Sequence, residues 1–167
     1  MSGDAAIAPR EASQQDDQQY RLVLPRGRHY ELPGRGRTFA RVVEAPPGAP
    51  TILLLHGWTA TADLNWYSSY SALEGKYGLV ALDHRGHGRG IRSRRPFRLT
   101  DCADDAVALL DELEIDRVIA VGYSMGGPIA QLIWRRHPKR VLGLSLIHIS
   151  EPTSPRLISY AVFCLKK

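Results

Sequence analysis

Three short, uninterrupted apolar runs set the frame of this chain: Ile52 to Leu55, Leu79 to Leu82 and Val118 to Val121. A run without alternation suits a strand covered on both faces, so each reads as a central strand of a parallel sheet. Polar-apolar segments between them carry helical spacing. Trp66 to Glu74 predicts one helix, with Asp63 or Asn65 near its start as a cap. A second helix follows Thr100, read as its N-cap, and runs to about Leu113 with Val107, Leu110 and Leu113 on one face. Asp101, Asp104 and Asp105 then fall in its first turn, where the helix dipole favours them. A third helix covers Pro128 to Trp134 and ends near His137-Pro138. Strand-helix repeated three times predicts the α/β class, a mostly parallel sheet with flanking helices. Upstream, Tyr30 to Val43 reads as two strands around a Pro33-Gly34 turn, and Thr38 to Val43 alternates in part, as an antiparallel edge strand does. Tyr20 to Leu24 predicts a short strand and Ala45 to Pro50 a loop. Met1 to Gln19 is polar and predicts disorder.

Composition narrows the picture. A chain of 167 residues with 44% hydrophobic residues suits one globular domain. The formal charge is +5, and arginines cluster at Arg85, Arg89, Arg92, Arg94, Arg95 and Arg98. No aromatic interleaving or nucleic-acid fold pattern accompanies them, so they read as a solvated loop and no nucleic-acid partner is expected. Two cysteines, Cys102 and Cys164, supply neither a disulfide framework nor metal-ligand spacing. No apolar run reaches membrane-spanning length, and the polar N-terminus does not read as a signal peptide. The expectation is a cytoplasmic protein without a membrane span, metal or cofactor.

The chemistry centres on Gly122-Tyr-Ser-Met-Gly126, a G-x-S-x-G sequence between the third strand and the third helix. A serine on so sharp a turn has a strained backbone, and side chains at Gly122 and Gly126 would collide with neighbouring elements. The turn lifts the Ser124 hydroxyl to the helix N-terminus, where free N–H groups can stabilise an oxyanion.

His56-Gly57-Trp58 follows the first central strand, Asp83-His-Arg-Gly-His-Gly88 follows the second, and the G-x-S-x-G turn follows the third. In order and spacing these segments resemble the α/β-hydrolase family from about Leu32 to Val141. The resemblance implies that Ser124 is the nucleophile of the elbow, with Gly122 and Gly126 as its glycines. It implies an oxyanion hole made by the backbone N–H groups of Trp58 and Met125. His56, His84, His87 and Asp83 take loop-holding roles, and Trp58 is placed to wall an acyl pocket. The substrate class implied is a small-molecule ester, lactone or other acyl compound, attacked without a separate cofactor.

One departure is large. The family order is serine, then a carboxylate, then histidine, yet no aspartate follows Ser124. The only later carboxylate is Glu151, and the only later histidines are His137 and His148. The triad is not present. From Leu144 onward, Leu-Ser-Leu-Ile-His-Ile-Ser-Glu-Pro-Thr153 and Ile158-Ser-Tyr-Ala-Val-Phe-Cys-Leu-Lys-Lys167 resemble translated sequencing-library adapter. The expected organisation is therefore a disordered 1–19, a partial α/β-hydrolase domain over 20–143, truncated after the elbow helix, and a non-native tail over 144–167. Loss of the next native strand would leave the nucleophile strand as an open apolar edge. Leu142 to Ile149 is apolar enough to occupy that place without functional meaning. Two readings follow, a serine hydrolase for the parent protein and an inactive fragment for the chain as written. A non-enzymatic binding protein is the alternative from another class.

Overall fold

The structure, a computed structural model, describes residues 24–147 and 162–165. A hairpin of β1 (Gly27–Leu32) and β2 (Gly36–Val43) leads into β3 (Thr51–Leu55), α1 (Ala62–Leu73) and β4 (Gly78–Leu82). Next come α2 (Leu99–Glu112), β5 (Val118–Tyr123), α3 (Gly126–Arg136), β6 (Val141–Ile147) and β7 (Val162–Leu165). All seven strands form one sheet in the order β1-β2-β4-β3-β5-β6-β7. The four central strands β4, β3, β5 and β6 run parallel, while the outer pairs β1/β2, β2/β4 and β6/β7 are antiparallel. The α/β class is as predicted from the order of runs. The Met1 to Gln19 segment and nearly all of the Tyr20 to Leu24 strand lie outside the described residues.

The uninterrupted apolar runs have a simple cause. Leu53 and Leu55 face one cluster, with Val80, Leu82, Ala106, Leu110, Ile129 and Ile133, under α2 and α3. Ile52 and Leu54 face the other, with Leu79, Ala81, Trp66 and Tyr70, under α1. Side chains of a strand alternate between faces, and here both faces are covered, so both sets must be apolar.

Helix starts differ from expectation. Thr61 caps α1, its hydroxyl accepting from the Leu64 N–H at 3.2 Å. Asp63 and Asn65 are engaged elsewhere: Asp63 holds Arg41 and Arg89, and Asn65 accepts from the Gly57 N–H at 2.7 Å. Arg98 occupies the N-cap position of α2 without a side-chain bond, and Thr100 lies inside the helix. Of the helix aspartates, Asp105 takes Arg85 through both oxygens, at 2.6 and 2.7 Å, together with Arg35 from the hairpin turn. Asp104 holds Arg136 and His137. These carboxylates serve as ion-pair partners between elements. Arg85 is consequently buried and Arg89 is held by two carboxylates, which corrects their reading as part of a solvated loop. Arg92, Arg94, Arg95 and Arg98 are exposed.

The place beside β5 is occupied by the apolar segment expected to be able to fill it. β6 lies beside β5 in parallel register, Tyr123 opposite Ile147, and β7 pairs with β6 outside it. Val141, Leu144 and Leu146 are buried, and all three join the cluster under α2 and α3. Alternating apolar residues with one free ladder beside them are enough to make a strand there.

Candidate active site

The turn from β5 into α3 has two residues, Ser124 and Met125. Ser124 sits at φ 50°, a left-handed conformation that costs a non-glycine residue about 1–3 kcal/mol. Its N–H donates to the Ile147 carbonyl at 2.9 Å, and its own carbonyl accepts the Gly127 N–H at 2.9 Å. The flanking glycines allow close backbone approach. A Cβ at Gly122 would stand 2.2 Å from the Gly126 oxygen, and one at Gly126 would stand 2.1 Å from the Leu55 oxygen. No side chain fits at either place, so the turn is pressed against the end of β3.

The segment leaving β3 passes the serine. A Cβ at Gly57 would lie 3.2 Å from Ser124 Cβ. His56 holds this segment from beneath. Its Nε2 is 2.9 Å from the His84 N–H, and its Nδ1 is 2.8 Å from the Gly57 carbonyl. A backbone N–H can only donate, so Nε2 accepts and the ring proton rests on Nδ1. Burial lowers the His56 pKa to about 4, and the ring is neutral at pH 7. Asn65 completes the arrangement through the Gly57 N–H. The sequence marks Asn65 only as a candidate helix cap, because its contact with Gly57 spans eight residues. The Trp58 and Met125 N–H groups donate no hydrogen bond to another described residue.

The loop after β4 is fixed from Asp83. One oxygen accepts the Ala62 N–H at 2.9 Å, and the other accepts the Arg89 N–H and Nε–H at 2.9 and 3.0 Å. His84 is buried, its ring 4.3 Å from that of His56. Burial, then the neighbouring His56, lowers its pKa well below the usual histidine value. His87 places Nδ1 3.1 Å from the Arg85 carbonyl. The rings of His56 and His87 are tied to this loop framework by hydrogen bonds, whereas both ring nitrogens of His84 are buried without a hydrogen-bond partner among the described residues.

The structure brings Ser124, Gly122, Gly126 and the Gly57-Trp58 segment together. It does not bring His137 to them. His137 is the C-cap of the 11-residue α3, about 16 Å along the helix from the serine end, and its Nε2 is 3.1 Å from Asp104. His148 and Glu151 lie outside the described residues. Among the described residues, no hydrogen bond reaches the Ser124 hydroxyl, and no helix is long and apolar enough to cross a membrane.

A profile of the alpha/beta hydrolase fold matches residues 50–162, and with this fold and elbow the chain belongs to the α/β-hydrolase family. It is 33% identical over 136 residues to epoxide hydrolase B of Mycobacterium tuberculosis, covering 77% of this chain and 36% of that protein. It is 29% identical over 123 residues to a putative carbamate hydrolase of Caulobacter vibrioides, covering 73% and 42%. Among solved structures, Est816, an N-acyl homoserine lactone degrading enzyme, superposes with a TM-score of 0.63 at 31% identity, covering 73% of this chain and 45% of that one. An α/β hydrolase from Novosphingobium aromaticivorans gives 0.69 at 26% identity, covering 78% and 46%. The chain thus spans half or less of the length of these relatives.

Proposed function

We propose that the parent protein is a serine hydrolase that cleaves a small-molecule ester, lactone or other acyl compound through an acyl-enzyme on Ser124. The observation that carries this reading is the left-handed serine at the start of α3 with the Gly57-Trp58 segment against it. Ser124 Oγ attacks the substrate carbonyl carbon while its proton passes to a histidine. The carbonyl oxygen becomes an oxyanion beside the N–H groups of Trp58 and Met125, each donor worth about 3 kcal/mol. Collapse expels the alcohol, which takes up the proton, and water then releases the acid from the acyl-enzyme. The positive end of the α3 dipole favours the same oxyanion. Relatives named for a carbamate and a lactone support a carbonyl substrate.

The histidine and its carboxylate come, in this reading, from sequence other than the described residues. The chain as written is then inert. That second reading rests on the Ser124 hydroxyl, which meets no base among the described residues, and on the adapter-like character of 144–167. Sequencing the source locus across codon 143 tests both. A frame that continues to an Asp or Glu and then a His supports them, and the 167-residue chain should then release p-nitrophenol from an ester no faster than its Ser124→Ala variant. A genomic frame encoding Leu144 to Lys167, or Ser124-dependent turnover by this chain, overturns the truncation reading. In the first of those cases a binding role leads.

A further inference from the structure

Three aromatic rings meet where the segments leaving β3 and β4 come together. The Trp58 ring centroid is 5.1 Å from that of His87 and 5.3 Å from that of Phe97, and His87 is 5.7 Å from Phe97. The interplanar angles are 76°, 79° and 64°, so the rings form a closed edge-to-face triangle in the favoured distance range. His87 also rests on His56 at 5.4 Å, which anchors the triangle to the buried frame. Trp58 nevertheless leaves 58% of its surface exposed and Phe97 39%. Two adjoining exposed aromatics on one rigid mount are a binding feature more than scattered surface. Their place matters: Trp58 follows Gly57, whose backbone abuts Ser124.

Arg85 and Arg89 are turned onto Asp105 and onto Asp83 and Asp63, and Arg92 onto the Gly88 carbonyl, while Arg94, Arg95 and Arg98 flank Phe97 in sequence and are exposed. His56 beneath is neutral through its two backbone bonds. The three rings present π surface at this place. We propose that Trp58, His87 and Phe97 form an aryl-binding subsite, and that the substrate of Ser124 carries an aromatic ring near its acyl carbonyl. The substrate assignment rests on the serine-hydrolase reading, whereas the binding of aryl groups does not.

The test uses the 167-residue chain carrying Ser124→Ala, so binding is read without turnover. Methyl phenylacetate and methyl cyclohexylacetate differ only in the aromaticity of the ring. Buried area alone favours the more hydrophobic cyclohexyl ester, whereas edge-to-face contact favours the phenyl ester by roughly two- to ten-fold per ring. Ligand-observed NMR titration should show the phenyl ester binding several-fold tighter. Phe97→Leu, which keeps apolar bulk, should reduce the preference by the share of one ring, roughly two- to ten-fold, and Phe97→Tyr should keep it. Equal binding, tighter binding of the cyclohexyl ester, no binding, or a preference untouched by Phe97→Leu would each overturn the subsite. The nucleophile is checked separately by Ser124-dependent labelling of the full-length parent with a fluorophosphonate. Failure there removes the reaction and leaves the binding result standing.

Discussion

Replacing Asp105 by alanine isolates the clamp that joins the hairpin, the loop after β4 and α2. The Asp105 side chain is 2% exposed and that of Arg85 is 10% exposed, so the variant leaves a guanidinium where water scarcely reaches, with only its longer 3.5 Å contact to Asp101. Breaking a buried pair from one side costs about 3–5 kcal/mol. Arg35 is a quarter exposed, at 25%, and can swing to solvent, adding little. A loss of about 4 kcal/mol is large against the roughly 5–15 kcal/mol that holds a typical domain. With a urea dependence of about 1–3 kcal/mol per molar, the midpoint should fall by roughly 2 M. The assay is urea denaturation followed by far-UV circular dichroism. Asp105→Leu combined with Arg85→Met should recover most of the loss, because an apolar replacement of a buried pair is often neutral. A midpoint shift under about 0.5 M for Asp105→Ala, or strictly additive effects of the two single variants, would refute the clamp.

Three further outcomes follow from the same geometry. Gly126→Ala should lower stability by more than about 3 kcal/mol in urea titrations, since its Cβ meets the Leu55 carbonyl, whereas Gly127→Ala, with Leu146 Cδ2 at 3.9 Å and the Gly122 oxygen at 4.0 Å, should be neutral or stabilising by up to about 1 kcal/mol. Equal effects would contradict the tight packing of the elbow. Ser124→Gly should raise stability by about 1 kcal/mol in thermal melts by relieving the left-handed backbone, and a lower melting temperature counts against strain at this residue. Acid should destabilise the fold. His56 titrates near 4 when folded and near 6.5 when unfolded, so between those values only the unfolded chain takes the proton. Stability is then present above about pH 6.5 and is lost as pH falls towards 4, by about 3 kcal/mol in all, with His84 acting in the same direction. Urea midpoints at pH 7, 5.5 and 4.5 should show this decline, and less of it in His56→Asn; a flat profile would rule it out.

The elbow and the central strands were legible because their signals are local. Val118 to Gly126 contains an apolar run, two obligatory glycines and a helix within one window, and covering both faces of β3 dictates its composition. The errors came from residues whose partners are distant. Asp63 and Asn65 are good caps in isolation, but Arg41 and the Gly57 backbone claimed them, leaving the cap to Thr61. Arg85 looked solvated because its carboxylate is 20 positions away. The Trp58-His87-Phe97 triangle was invisible for the same reason: its members come from two loops that only the sheet brings together. β6 shows the opposite case, a ladder position that a modest apolar alternation can fill.

The strand order also sets a timetable for synthesis. β3 lies between β4 and β5, so its two neighbours are both made after it. Thr51 pairs with Gly78 on one side and with Val118 on the other. At about 5–20 residues per second, the second partner leaves the ribosome roughly 3–13 s after the first residue of β3. Through that interval Thr51-Ile-Leu-Leu-Leu55, the most apolar strand of the sheet's centre, has an unfilled edge. Its safety while nascent depends on the ribosome tunnel and on chaperones more than on any feature of the finished fold.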